Sequence, residues 1–374
     1  MKVLILSVHT GQGHNQVAAS IMNRLNEEED VTCNTVDVFS YVSPILGKSI
    51  SEGYLLATKY APSYYGSFYR LAERISGDSG FNYYSIVDKL LSRKLNQLLN
   101  EQEPDIILCT HVFAASLLRR FSTQLSDTIK AGIVTDYTLH PFWEQTKLDY
   151  IIVPSKSVME EAINRGIPQS KLLPFGMPIH EKFLSKLDKN NARYTLGIDN
   201  KNTILVMGGS MGFGSIDEVI AKLDSIEQDF QILCICGTND EMKEKIQNML
   251  TRKTVYTYGY VDNVEVFMDA SDCIITKPGG ITVSECLVKN LPMILTNPIP
   301  GQEDRNVDFL NSKKAAMVIN EELSLENAVN TFFANHALKD KMIENIKEIA
   351  KPMAVEDICS FVKEHIQGSL VETY

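Results

Sequence analysis

The chain has 374 residues, 44% of them hydrophobic and 22% charged, which excludes a disordered or collagen-like polymer and leaves room for two domains with full cores. With 47 acidic against 36 basic residues its net charge is −11, the wrong sign for a protein that covers nucleic acid with a broad cationic face. The cysteines number seven, an odd count, and Cys109, Cys234, Cys236 and Cys273 stand in apolar runs, so reduced buried thiols of a cytosolic protein are expected instead of a disulfide framework.

The first apolar run, Val3–Val8, is too short for the core of a signal peptide, and no stretch approaches the ~18 apolar residues of a spanning helix. It reads as a strand. Further predicted strands are Val31–Val38, Ile106–Cys109, Ala131–Val134 and Tyr150–Val153, then Thr203–Met207, Phe230–Cys236, Val255–Tyr258, Asp272–Thr276, Met293–Thr296 and Ala316–Ile319. Continuous apolar runs mark strands covered on both faces. Their alternation with helical stretches implies parallel sheets joined by right-handed crossovers. The pattern restarts near residue 200, after the proline- and glycine-punctuated stretch Pro168–Pro178 and the polar segment Ser185–Asn191. The expected fold is α/β, with two Rossmann-like doubly wound domains, 1–170 and 171–354, facing across a ligand-binding cleft. Pro352 interrupts the helical stretch that begins near Leu338, so a last helix, about 355–374, is expected to change direction and pack back on the first domain.

Between Pro44 and Leu99 there is no convincing strand, but tyrosines and phenylalanines crowd in from Tyr54 to Tyr84. The same stretch holds seven basic residues, among them Lys89, Arg93 and Lys94, against four acidic ones. Aromatic side chains with a polar handle beside Lys and Arg suit a membrane interface. A helical insertion with its aromatic residues in the core would have the same composition.

Three loops carry candidate chemistry. His9-Thr-Gly-Gln-Gly-His14 follows the first strand, and glycines including Gly13 let a ligand approach backbone N–H groups where a helix starts near Asn15. Gln16 stands where a dinucleotide fingerprint needs a third glycine, so NAD binding is weakly indicated. His14 sits where a general base would face the cleft, or is a helix N-terminal histidine bonded to backbone. Gly208-Gly-Ser-Met-Gly-Phe-Gly214 lacks the Gly-Lys-Ser/Thr ending of an ATP-binding loop but can present N–H groups to an anion. In Thr276-Lys-Pro-Gly-Gly-Ile-Thr-Val-Ser-Glu285, the turn at Gly279-Gly280 leads into a helix expected near Thr282, whose unbonded N–H groups suit a diphosphate. Glu285, one turn in, can accept hydrogen bonds from ribose hydroxyls. Gln302 and Glu303 supply an amide and a carboxylate for vicinal sugar hydroxyls. Each acid could instead simply favour a helix dipole.

Taken in order, Gly-x-Gly-His14 with Ala18-Ala19, Val134-Thr-Asp136…His140…Trp143, Gly176-Met-Pro178, Met207-Gly-Gly-Ser210, Lys277-Pro-Gly-Gly…Glu285 and Pro-Gly-Gln-Glu303 resemble the processive diacylglycerol glucosyltransferases and monogalactosyldiacylglycerol synthases. These are inverting glycosyltransferases of the GT-B fold, more distantly similar to the N-acetylglucosaminyltransferase of peptidoglycan lipid assembly. The resemblance spans nearly the whole chain. It implies a UDP-sugar donor in the C-terminal half and a lipid acceptor, diacylglycerol or a glycolipid, held by the N-terminal half at the membrane. It makes His14 the base and Asp136 an acidic acceptor-side position that could orient it. Ser210, Gly279 and Gly280 become diphosphate contacts, Glu285 the ribose ligand, and Gln302 with Glu303 the sugar contacts. Tyr258 to Val261 become the loop where backbone groups read the uracil. It also turns segment 44–99 toward the acceptor and membrane reading.

The activity so implied is transfer of a hexose, glucose favoured over galactose, to diacylglycerol with inversion to a β-glycoside. Lys277 would assist departure of UDP if its side chain turns inward. No Asp-x-Asp stands in a glycine-flanked loop, so no metal or cofactor is expected. Residues 1–170 hold 15 basic and 18 acidic groups, so most of the negative charge lies in the other half. An anionic lipid surface on the inner face of the cell membrane is therefore a plausible partner for a peripheral cytoplasmic enzyme. The alternatives are a UDP-GlcNAc 2-epimerase-like isomerase, a transferase to another lipid, and a non-catalytic UDP-sugar sensor.

Overall fold

The computed structural model describes residues 1–9, 12–45, 47–49, 87–121, 123–212, 214–299 and 303–371. Most of the aromatic and basic stretch, Thr10, Gly11 and Gln302 lie outside the described residues. The chain divides into two units, Met1–His180 with Lys351–Tyr374, and Glu181–Ala350.

The first unit is built on six parallel strands: β1 (Lys2–Ser7), β2 (Thr32–Asp37), β3 (Ile106–Cys109), β4 (Ile129–Ile133), β5 (Tyr150–Ile152) and β6 (Leu172–Leu173), in the order β2-β1-β3-β4-β5-β6. Its helices are α1 (Gly13–Leu25), α2 (Val38–Val42), α3 (Val87–Gln102), α4 (Val112–Leu118) and α5 (Lys156–Asn164). Central strands β1 and β3 bury every residue except Lys2, and the edge strand β2 buries only Cys33. The continuous apolar runs of the sequence are thus strands covered on both sides. Helix α1 buries Val17, Ala18, Ile21 and Leu25, a stripe at helical spacing. Gly132 in β4 is glycine for a packing reason: a Cβ there would lie 2.3 Å from the ring of Trp143.

From β1 the chain goes out to β2, then returns to the other side of β1 to form β3. A sheet of this kind opens a crevice at the carboxyl ends of the two strands that flank the reversal, here β1 and β3. The division between units falls at His180–Glu181, after the 170 expected, because Leu172 and Leu173 pair with Ile151 and Ile152. The C-terminal segment returns to this first unit.

The second unit has six parallel strands, β7 (Thr203–Met207), β8 (Gln231–Ile235), β9 (Val255–Tyr258), β10 (Cys273–Thr276), β11 (Met293–Leu295) and β12 (Ala316–Val318), in the order β12-β11-β10-β7-β8-β9. Helices α6 (Lys189–Leu196), α7 (Ile216–Ser225), α8 (Asp240–Gln247), α9 (Val264–Ala270), α10 (Gly280–Lys289), α11 (Asp304–Ser312), α12 (Leu325–Ala334) and α13 (His336–Ile349) surround them. This is the classical dinucleotide-fold order, with its reversal between β7 and β10. Several starts are fixed by side chains: Asp188 accepts from Asn190 N–H, Ser324 from Asn327 N–H and Asn335 from Leu338 N–H. Both units are therefore Rossmann-like, as the α/β GT-B reading expects.

Helix α14 (Ala354–Val371) belongs to the first unit. It is tied to α1 by the Arg24 guanidinium, which donates to both Glu356 oxygens at 2.8 and 3.1 Å, and to the turn just after α1 by Lys363 at 2.7 Å from Glu28. All seven cysteines are buried, and none forms a disulfide. Among the described residues no helix is long and apolar enough to cross a membrane.

Candidate functional site

In the first unit the candidate residues gather where β1, β3 and β4 end. Helix α1 starts at Gly13, two residues before the expected Asn15, and its N-cap Gln12 makes no side-chain capping bond. His14 is therefore in the first turn, half-buried. Its Nδ1 lies 2.8 Å from the carbonyl oxygen of Thr110, just past β3, and 3.2 Å from the hydroxyl of Thr135, just past β4. A carbonyl can only accept, so the ring hydrogen sits on Nδ1 and the lone pair on Nε2. Burial pulls the imidazole down to about 4, against the opposing pull of the Thr110 bond, so the ring is neutral at pH 7. A neutral, oriented imidazole with an unprotonated Nε2 can take a proton from a hydroxyl.

His9 is held apart from this ring. Its N–H donates to Asp37 and its Nδ1 meets the Asn15 amide. Asp136 directly follows Thr135, and it is the threonine hydroxyl that meets the His14 ring. Sequence reasoning missed Thr110 and Thr135, since 96 and 121 residues separate them from His14. The ring of His111 stands edge-on to His14, with centroids 4.5 Å apart.

In the second unit the loops after β7 and β10 meet beside the reversal. A Cβ at Gly209 would touch Lys277 Cε at 3.4 Å. A pocket there is lined by Met207, Gly208, Gly214, Thr276, Lys277 and Asn297 among others. Helix α10 begins at Gly280, earlier than the expected Thr282, and Gly279 as its N-cap contributes no side-chain bond. Its first N–H groups are thus available to an anion. The turn before it is fixed from below by Asn306, fully buried, whose amide donates to the Pro278 carbonyl at 2.9 Å. Nothing in the sequence marks Asn306.

Lys277 Nζ lies 2.8 Å from Glu303 Oε1, while Oε2 of the same carboxylate accepts the Ile299 N–H at 2.9 Å. Ser210 is held through its carbonyl, which accepts the Thr238 N–H at 2.9 Å. Glu285 is 7% exposed. Burial pushes its carboxyl up to about 8, with Lys182 opposing and Glu265 adding to the effect. Tyr258 ends β9, its ring edge-on to Phe267 at 4.8 Å and its carbonyl bonded to Cys236 N–H. Val261 and Thr282 are both half-buried. Lys182, whose ammonium pairs with Glu265 at 3.3 Å and also donates to the Asp262 carbonyl, is a further neighbour of this region that the sequence reading did not find.

Two family domains match this chain in tandem: Monogalactosyldiacylglycerol (MGDG) synthase over residues 14–179, and Glycosyltransferase family 28 C-terminal domain over 203–358. The chain is thus similar to MGDG synthases over its N-terminal unit and to family 28 glycosyltransferases over its C-terminal one. The processive diacylglycerol beta-glucosyltransferase of Bacillus licheniformis is 28% identical over 353 residues, 93% of this chain and 90% of that protein. The Bacillus cytotoxicus protein of the same name is 27% identical over 97% of this chain and 93% of its own length. Among solved structures, Acinetobacter baumannii MurG aligns with a TM-score of 0.67 at 14% identity, covering 97% of this chain and 99% of MurG. A Staphylococcus aureus MnaA–UDP structure aligns at 0.62 and 14% identity, covering 98% and 97%. These structural likenesses establish the GT-B fold. The N-terminal match starts at His14 itself, and the C-terminal match contains the whole β7–β12 sheet.

Proposed function

We propose that this chain transfers a hexose, glucose in preference to galactose, from a UDP-sugar to diacylglycerol with inversion, and that the β-linked product can serve again as acceptor. The observation that carries the reading is the His14 imidazole, neutral and held by Thr110 so that Nε2 carries the lone pair. His14 takes the proton of the attacking hydroxyl as the bond to the anomeric carbon forms, a contribution of ~10²–10⁴ in rate for a well-placed base. Asp136 is assigned an acceptor-side role beside it.

Gly279, Gly280, Thr282 and Ser210 receive the diphosphate, and Lys277 stabilises charge on departing UDP. Glu285 takes the ribose, Gln302 and Glu303 the sugar, and the backbone of Tyr258–Val261 the uracil. Gly13 leaves space at the start of α1. These donors supply the stabilisation without a metal or cofactor. The near full-length similarity to two processive diacylglycerol beta-glucosyltransferases supports the substrate pair. The protein works as a peripheral enzyme on the cytoplasmic face of the membrane, with Arg93 and Lys94 of α3 meeting anionic lipid.

The test is incubation of the purified protein with radiolabelled UDP-glucose or UDP-galactose and diacylglycerol liposomes, followed by organic extraction. Label enters the lipid phase from UDP-glucose, and His14→Ala abolishes nearly all of it. An unlabelled lipid phase with the UDP-sugar isomerised would replace this reading with an epimerase.

A further inference from the structure

The same short device occurs twice in the first unit. His111-Val-Phe113 opens α4, and His140-Pro-Phe142 opens the short helical turn Pro141–Gln145. In each, the histidine Nδ1 accepts the N–H of the phenylalanine two residues on, at 3.1 Å. In each, the two rings then pack together: His111 stacks on Phe113 with centroids 5.1 Å apart, and His140 stands edge-on to Phe142 at 4.7 Å. The two phenyl rings approach one another to 6.2 Å. An aromatic array thus leads from His14, through His111, to Phe113, which is 45% exposed.

The hydrogen-bond pattern fixes what this surface offers. Because Nδ1 of His111 accepts, the hydrogen of the neutral ring is on Nε2, and that nitrogen is a donor. Burial, with the neighbouring His14 and His140 rings, keeps His111 in its neutral form. The array therefore combines the exposed ring of Phe113, the half-buried ring of Phe142, an imidazole N–H donor at His111 and, one ring further in, a proton acceptor at His14.

An acyl chain is a poor match, since hydrocarbon laid over the imidazole N–H would leave a donor without a partner. A pyranose is a good one. It has an apolar C–H face to lie on a phenyl ring and a rim of hydroxyls to accept from an imidazole and donate to a base.

We propose that Phe113 and Phe142, with Nε2–H of His111, form the subsite for the hexose headgroup of a glycosylated lipid acceptor. The inference rests on the reading of His14 as the base of a hexosyltransferase. In the second transfer a hydroxyl of the bound hexose forms its bond to the donor's anomeric carbon. The bond from that carbon to the diphosphate breaks with its electron pair leaving on UDP, and the hydroxyl proton passes to His14 Nε2.

The experiment measures kcat/KM with UDP-glucose for two acceptors in mixed micelles, diacylglycerol and monoglucosyl-diacylglycerol. It compares the wild type with Phe113→Leu and Phe142→Leu, which keep apolar bulk and lose the aromatic face. Melting temperatures verify folding. The expected result is a shift of about tenfold in the ratio of the two kcat/KM values against the glucosylated acceptor, carried mainly by KM. An unchanged ratio in both folded variants overturns the subsite, as does a wild type that uses diacylglycerol alone. A wild type that glycosylates neither acceptor overturns the transferase reading, and the subsite with it.

Discussion

Lys277 and Glu303, placed on opposite sides of β11 in the sequence, form an ion pair with Nζ and Oε1 2.8 Å apart. The partners are unequally buried, the lysine side chain 20% exposed and the glutamate 5%. Removing the lysine therefore strands a more deeply buried charge than removing the glutamate does. Lys277→Met is expected to lower unfolding stability by about 1–3 kcal/mol, Glu303→Gln by less. The double variant should recover part of the loss, with a coupling energy of about 0.5–3 kcal/mol. Urea unfolding of the four proteins measures the cycle, and strictly additive losses would contradict the pair. In the proposed mechanism a diphosphate competes for the same ammonium, which would release Glu303 toward the sugar.

His14 gives a pH prediction with a definite sign. Its folded value is about 4 against 6.5 for the ordinary side chain. The base form is therefore present throughout the neutral range, and kcat/KM should keep its plateau until pH falls toward 4. An acid limb near 6.5 would show that the working base is another group or a solvated histidine. Stability follows the same linkage: below 6.5 the unfolded chain binds the proton and the folded one resists, so this contribution is lost as pH falls to about 4. Thr135→Val, which removes the 3.2 Å contact to Nδ1, should reduce kcat more than it raises KM.

The central strands of the two sheets were legible because they are continuous apolar runs, as in β7 and β8, where every residue is buried. Strand β6 escaped because Leu172–Leu173 is too short to show a pattern among prolines and glycines. His14 could be found because a glycine-flanked histidine after the first strand has a fixed place in such a fold. Its partners could not, since only the neighbouring of β1, β3 and β4 brings Thr110 and Thr135 to it. The charges of the loops after β10 and β11 were legible one by one, but their mutual arrangement was not. Lys277 and Glu303 neutralise each other only because β10 and β11 lie side by side.

Glu285 should trade stability for binding. Its folded value of about 8 stands above the ordinary 4.5. The folded state therefore holds the proton more tightly, and the stability this gives is complete below pH 4.5 and lost as pH rises through 8. Glu285→Gln cannot ionise, so its melting temperature should gain on the wild type between pH 5 and pH 9. UDP affinity, if the carboxylate accepts from the ribose, should fall about tenfold or more in the same variant. Melting curves across pH with calorimetric UDP titration test both halves. A melting difference that does not vary with pH would mean that the carboxyl titrates normally.

The turn after β8 supports the glycine loop after β7 from outside the pocket. Gly237 has φ +57, and a Cβ there would lie 2.2 Å from the carbonyl oxygen of Ser210. That oxygen is the one bonded to Thr238 N–H at 2.9 Å, so a side chain at 237 must displace the residue assigned to the diphosphate. Gly237→Ala should cost about 1–3 kcal/mol of stability, from the left-handed backbone and the clash together. Its effect on function should fall on the donor side. KM for the UDP-sugar rises while KM for the lipid acceptor holds, because the residues around His14 proposed to meet the acceptor lie in the other unit. Bisubstrate kinetics on the folded variant read this out directly. Equal rises in both KM values would mean that the turn after β8 does not act through the Ser210 loop.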